Sequence, residues 1–423
     1  MTTRTTRTGR RTAFAVAAAL TAGALLGAAP VTASARTAPA APITLSTAAA
    51  VPTPTVLQSG LPGKVYSDPT GVNNGGFVVG YAYGSGQVRD DAAIRWSPDL
   101  TPTTLPPLPG EDHAQARGVN DENLAIGISW PASRDYSRAT AVRWAADGTP
   151  TALLPLPGDL YSRPTAIGAS GIVVGISGGG AAQRAVAWRP DGTVVVLAPL
   201  PGDATSETVG VNSAGVAIGR SWTGTGKFHG VLWSPDGTPV PFQTGPTGGS
   251  GDWPVGINDA GTVIGVADRP LTTGVVRHGL VRSSGGAILD LGANAEPLAI
   301  NATGAVVGQY RPDPGSLRTS AARWSPGGTL TPLALGASSA AKSVAVGIND
   351  SGTAIGYAWD GIPARQYQAG KIWAPDGTLT DLDPTGTTNT TLFVNNAGLV
   401  VGLTLVRWGG SLYPAHLATV WRS

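Results

Sequence analysis

The 423-residue chain has no cysteine, one methionine and four histidines. Without cysteine there is no disulfide and no thiolate metal site. His113, His229, His278 and His416 are never spaced i, i+4 or set in a zinc pattern. No metal or other cofactor is therefore expected. Charged residues are only 13%, about half the usual share, which suits short strands better than long, charged surface helices. There is no G-x-S-x-G, no phosphate-binding loop and no calcium loop. Beyond the first thirty residues no apolar run is long enough to span a bilayer, so no transmembrane anchor is expected. The chain does hold 60 Gly and 35 Pro. The glycines lack the three-residue period of collagen. Disorder fits badly with 42% hydrophobic residues and 12 Trp.

The slight basic balance belongs to the N-terminus. Arg4, Arg7, Arg10 and Arg11 precede an apolar run from Ala13 to Ala29, and Ala33-Ser34-Ala35 supplies small residues for cleavage. Residues 1–35 read as a secretory signal peptide, cut after Ala35. Arg10-Arg11 leaves both the general and the twin-arginine export route open. Loss of four arginines and no acid takes the formal charge from +2 to −2, so a nucleic-acid partner is not indicated. Residues 36–54 are rich in Ala, Pro and Thr and read as a flexible linker. The expected product is secreted and extracellular.

From residue 55 the chain repeats. One decapeptide recurs eight times: GVNNGGFVVG (71), GVNDENLAIG (118), AIGASGIVVG (166), GVNSAGVAIG (210), GINDAGTVIG (256), AINATGAVVG (299), GINDSGTAIG (347) and FVNNAGLVVG (393). A second ladder follows each copy and ends in Trp96, Trp144, Trp188, Trp233, Trp324, Trp373 and Trp421, with Arg282 in the fifth unit. The third decapeptide position is Asn in seven copies and Gly168 in one. The sixth is Gly in seven and Asn123 in one. Gly and Asn best tolerate positive φ, and an Asn side chain bonds backbone two residues on. N-x-x-G is thus expected to be a type I turn with a following bulge. The closing Gly implies a close backbone approach between stacked sheets. Pro-Asp-Gly segments such as 235–237 and 375–377 form a second hairpin turn, whose aspartates should bond local backbone. Asp259 and Asp350, inside the first turn, should be solvated.

Each period therefore holds four short antiparallel strands, the pattern of a β-propeller blade. The last copy stops where a further strand is due, and Pro54–Leu57 look like that missing strand. Pairing the two ends would close a ring, making residues 55–423 one all-β propeller domain of eight units of about 46 residues. Seven blades is the alternative. The ladder tryptophans should pack between blades.

The phrases GINDAGTVIG (256–265) and His229-Gly-Val-Leu-Trp233 resemble the bacterial extracellular HAF repeat. His229 and His278 match the triplet's His, while Thr140, Arg184 and Ser320 stand at that position in other units. The resemblance spans about residues 55–423 and implies an exported, propeller-like repeat protein with no transferable catalytic residues. The Ser-Pro-Asp-Gly turns also resemble those of TolB-type propellers.

Tyr83, Trp130, Trp222 and Trp359 share one register, three residues past the closing Gly, in units one, two, four and seven. Asp268 and Arg311 fill it in units five and six. Flat rings at one rim can form a binding platform, or can cap the core where a loop departs. The expected function is an exported, non-catalytic binding or scaffold module for a glycan, cell-wall polymer or protein, acting as a monomer. The alternative is a secreted propeller hydrolase or lyase acting on polysaccharide. It would need loop carboxylates or histidines converging near the axis with raised carboxylate pKa values.

Overall fold

Each decapeptide turn has the backbone that its Asn and Gly demand. In the computed structural model the Asn73 amide donates to the Phe77 carbonyl, and the Gly76 amide to that of Asn73. Gly76 has φ of 81° and Asn123, its counterpart in the second unit, 60°. This is the type I turn with bulge expected from the sequence. The structure describes residues 52–85, 90–132, 136–179, 183–243, 251–272, 274–313, 315–316, 318–335, 342–359, 368–382, 389–406 and 415–422. Residues 1–35, read above as a signal peptide, residues 36–51 of the expected linker, and Trp408 lie outside the described residues.

The strands form eight four-stranded antiparallel sheets, each running through its strands in order. Blade 1 is Tyr66–Val72, Val78–Tyr83, Ala92–Trp96 and Pro102–Leu105. The first strands of blades 2 to 8 are His113–Val119, Tyr161–Ile167, Thr205–Val211, Asp252–Ile257, Ala295–Ile300, Lys342–Ile348 and Asn389–Val394. Consecutive first strands touch one another around the whole ring, so they are the innermost. Blade 8 takes its outermost strand from the other end of the chain. Thr55–Val56 pairs antiparallel with Ala415–Trp421, Thr55 opposite Val420. The fold is an eight-bladed, all-β propeller, closed as the terminal segments suggested.

A ring of buried asparagines joins the innermost hairpins. Each turn Asn uses Oδ1 to accept the amide four residues on, at 2.8–3.0 Å. The expected partner two residues on is therefore corrected to four. Nδ2 is thereby freed to donate to the backbone carbonyl of the same position in the next blade, at 2.9–3.4 Å. Asn395 in blade 8 reaches the Asn73 carbonyl in blade 1. Only the junction of blades 3 and 4 lacks the link, because Gly168 stands there. A Cβ on Gly168 would lie 2.8 Å from the Asn212 carbonyl oxygen, so the backbones sit too close for a side chain. The next turn residue adds a partial outer ring. Asp259 and Asp350 are exposed, as expected, yet each also accepts an amide from the preceding blade, at 2.8 Å.

The ladder tryptophans are buried between blades. Trp96, Trp144, Trp188, Trp233 and Trp373 each donate Nε1 to a carbonyl at the outer end of the preceding blade, at 2.6–2.9 Å. The closing Gly of the decapeptide does meet a close neighbour, but within its own blade. A Cβ on Gly127 would lie 2.0 Å from the Gln115 carbonyl oxygen of the bulged first strand and 2.8 Å from the Trp144 ring. Blade 5 solves the loss of its Trp from outside. Phe242, at the end of blade 4, is fully buried and lies against Gly265 where the Trp ring would lie. Other blades have Leu105, Leu153 or Leu197 in that register.

Asn301 has Ala305 and Thr303 as donors and Asn349 as acceptor. Asn301→Ala should cost about 2 kcal/mol in chemical denaturation, since it strands buried partners. Gly168→Asn should also destabilise, by about 1–3 kcal/mol of overpacking. A gain in stability there would mean that the missing link is a simple vacancy.

Candidate functional site

The strand directions give the ring two different faces. N-x-x-G and Pro-Asp-Gly turns share one. The other carries the ends of the second strands and the connections into the next blade. On the turn face the aspartates of the second hairpin turn are local: Asp147, Asp191 and Asp376 accept the Thr amide two residues on, at 2.8–2.9 Å. Those bonds hold their carboxyl pKa values below the ordinary range. A cleft of about 350 Å³ lies on this face between blades 8 and 1, lined by residues such as Asn74, Pro98, Asn395 and Arg422. Its walls are mostly backbone and small side chains, and Arg422 donates to the Pro98 carbonyl.

On the loop face a Leu-Pro-Gly-acid turn leads into several blades. Pro sets φ at the second position and Gly takes the positive φ at the third, 84° to 92° at Gly110, Gly158 and Gly202. The acid then pairs with the residue at the triplet's His position. Thr140 Oγ1 donates to Glu111 at 3.2 Å, Arg184 to Asp159 at 2.9 Å, and His229 Nδ1 lies 3.0 Å from Asp203. His278 instead meets Asp290 at 3.0 Å. Ser177 and Ser221 complete two of these clusters by donating to Asp159 and Asp203. Blade 1 reverses the polarity, with Lys64 in the acid's place and Asp90 opposite at 2.5 Å. The triplet position is a hydrogen-bonding clamp on the incoming turn. Ser221 points to Asp203 and not to His229, so the cluster is not a nucleophile–base pair.

The four rim aromatics occupy one register, each at the end of its second strand, but the ring spreads them apart. Tyr83 lies 5.6 Å from Tyr66. Trp130 is fully buried, stacked on His113 at 5.6 Å and touching Tyr136 at 4.7 Å. Trp222 and Trp359 are half-buried, near Phe228 at 6.4 Å and Tyr357 at 5.6 Å. Among the described residues no ring contact joins two of the four.

A connected group forms instead across blades 4 to 6. Phe228 carries the aromatic run from Trp222 on to Trp253, 5.6 Å away edge-on. Arg220 lies 5.5 Å and Arg277 4.6 Å from the Trp253 ring centre. Glu207 stands 3.9 Å from Arg220, and Arg277 binds Asp268 at 2.9 Å with Glu296 at 3.8 Å. Each guanidinium thus has a ring and a carboxylate to offset its burial. Burial pushes the Glu207 carboxyl up and the Arg220 guanidinium down, with their mutual attraction opposing both shifts. Trp253 does not share the register of the four rim aromatics, because it stands on the innermost strand. Its equivalents, three residues before each decapeptide on the first strands, include Asp68, Arg163, Glu207 and Glu296, a chemically varied set in which no single residue type marks the position.

Asp252 also has a raised carboxyl pKa, from burial, partly offset by the Gly230 amide at 3.5 Å. It replaces the serines Ser67, Ser162 and Ser206, whose hydroxyls each donate to the preceding blade's outer strand. Among the described residues no group of three or more His, Asp or Glu could hold a metal ion, and no helix is long and apolar enough to cross a membrane.

The structure is similar to several solved propellers. A study of two prolyl endopeptidases gives a chain with TM-score 0.52 and 10% identity, matching 82% of this chain and 55% of that one. Porphyromonas gingivalis dipeptidyl peptidase 4 gives 0.51 and 11%, over 80% and 57%. TolB from Acinetobacter baumannii gives 0.37 and 13%, over 60% and 62%. In each case less than two thirds of the solved chain is covered, and at these identities the likeness concerns the fold. No family model matches the chain, and no curated protein matches it.

A carboxyl whose folded-state pKa is raised favours the fold at low pH and loses that contribution as pH rises through its folded-state value. Asp252→Asn should therefore raise the melting temperature at pH 7. The gain should vanish below about pH 3.9, the ordinary aspartate value. Equal gains at both pH values would mean that charge is not the cause.

Proposed function

We propose that the ring is an exported, non-catalytic binding module and that its loop face over blades 4 to 6 takes a glycan. The observation that carries this reading is the run Trp222–Phe228–Trp253 with Arg220 and Arg277 stacked upon it. Aromatic faces bury the apolar side of a sugar ring while guanidinium and carboxylate groups at their edges take its hydroxyls. Export is supported by the arginine-rich start and apolar run of residues 1–35, and by the resemblance of the repeat to the HAF pattern. Half-buried Tyr83 and Trp359 are outlying contacts on the same face, and fully buried Trp130 is packing.

Two raised carboxyls, Glu207 and Asp252, bear on the hydrolase or lyase alternative. Glu207 faces Arg220, and Asp252 accepts an amide in the place of a structural serine. No contact joins the two among the described residues. A positioned acid–base pair would need both on one substrate bond, so the binding reading is preferred.

The test is titration of neutral and acidic oligosaccharides and peptidoglycan fragments against tryptophan fluorescence. Trp253→Ala and Trp222→Ala should each weaken a bound glycan about tenfold or more, as central aromatic anchors do. Trp359→Ala should change affinity little. Unaltered affinity in Trp253→Ala/Trp222→Ala would remove the platform from the site.

A further inference from the structure

Among the described residues, blades 2 and 3 hold a charge with no hydrogen-bond or ion-pair partner. Arg117, on the innermost strand His113–Val119, is half-buried, and its Nε is shut off from solvent with no hydrogen-bond acceptor. Among the described residues it makes neither a hydrogen bond nor an ion pair. Its charged neighbour is a second cation, Arg163, on the innermost strand of the next blade. Arg163 lies over the Tyr161 ring at 4.8 Å and donates to the Tyr136 carbonyl at 2.9 Å, with no carboxylate partner among the described residues. The remaining groups acting on Arg117 are the phenols of Tyr81 and Tyr136. The two carboxylates that act on Tyr81 have partners of their own: Asp68 accepts from Tyr81 at 2.7 Å and meets His416 at 3.2 Å, while Asp91 accepts from Gln115 at 2.7 Å.

The contrast with blades 4 to 6 is informative. There Arg220 and Arg277 each have a carboxylate within 4 Å. Burial, and then the charge of Arg163, push the Arg117 guanidinium pKa down, opposed by the phenols of Tyr81 and Tyr136, and among the described residues no carboxylate pairs with it. A half-buried guanidinium ordinarily has an anion or a hydrogen-bonded acceptor.

We propose that Arg117 and Arg163 form a binding subsite for the carboxylate of an acidic sugar residue in a glycan. The proposal rests on the reading of the ring as a glycan-binding module and supplies the charge of its ligand. A guanidinium fork matches a carboxylate in two parallel hydrogen bonds. The phenol rings of Tyr81, Tyr136 and Tyr161 favour a sugar acid over a bare inorganic anion. A pyranose ring has an apolar face to lay on them, and phosphate has none.

The experiment titrates the full chain with oligogalacturonate, with the same oligosaccharide after reduction of its carboxyls, and with inorganic phosphate. Binding is read by calorimetry and by the shift in melting temperature. Oligogalacturonate should bind at least tenfold more tightly than its reduced form, and Arg117→Gln and Arg163→Gln should each remove most of that difference. Without ligand, Arg117→Gln should melt at the same temperature as the parent or higher, since it discards an uncompensated charge. Absence of oligogalacturonate binding overturns the proposal. So does inorganic phosphate binding more tightly than the uronate, or a marked drop in the melting temperature of unliganded Arg117→Gln. Equal binding of both oligosaccharides, unaffected by Arg117→Gln, overturns the subsite while leaving the glycan-binding reading standing.

Discussion

The ring depends on one amide used twice. In seven of eight blades the turn asparagine spends its oxygen on its own turn and its nitrogen on the carbonyl of the next blade. A buried primary amide must satisfy both ends, so local turn geometry and the spacing of neighbouring blades are fixed together. Aspartate could cap the turn but has no donor to pass onward. Each link contributes a net ~0.5–1.5 kcal/mol. Its larger effect is positional, because it holds eight innermost strands at one height around the axis.

Outward from that ring, each layer repeats the same device with different chemistry. Serines of the first strands bond the preceding blade, tryptophan Nε1 groups bond the far end of that blade, and the Leu-Pro-Gly-acid turns are clamped by the third strand. Every one crosses a blade junction or the connection leading over it. Substitutions are absorbed in pairs: Lys64 with Asp90 exchange the sign of a clamp, and Phe242 fills the space that Arg282 leaves. The loop face, carrying connections of varied composition, is left to differ from blade to blade.

The architecture was legible because it is local and repeated. A turn decapeptide every 43–48 residues, an alternating strand and a Trp ladder present in seven of eight units define a four-stranded unit, and the unmatched ends imply closure. Contacts across junctions were less legible. The Asn nitrogen partner, the Leu-Pro-Gly-acid clamp and Phe242 join residues from different strands or blades, and nothing in one copy names the partner. The site was least legible. A shared register gathered Tyr83, Trp130, Trp222 and Trp359, yet equal register in a ring means separation by whole blades. Trp253 and Arg117 stand on innermost strands, where the repeat does not constrain the side chain and their chemistry differs from that of their equivalents.

Closure sets blade 8 against blade 1 and completes the ring of innermost strands. Val56 and Thr419 are directly opposed across the closing strand pair, and opposed antiparallel residues lie within disulfide range. The chain has no other cysteine, so Val56→Cys/Thr419→Cys under mild oxidation reports closure directly. The account predicts one intramolecular bond, seen by mass spectrometry as an N-terminal peptide joined to a C-terminal one. Two freely alkylated thiols, or bonds only between different molecules, would contradict it.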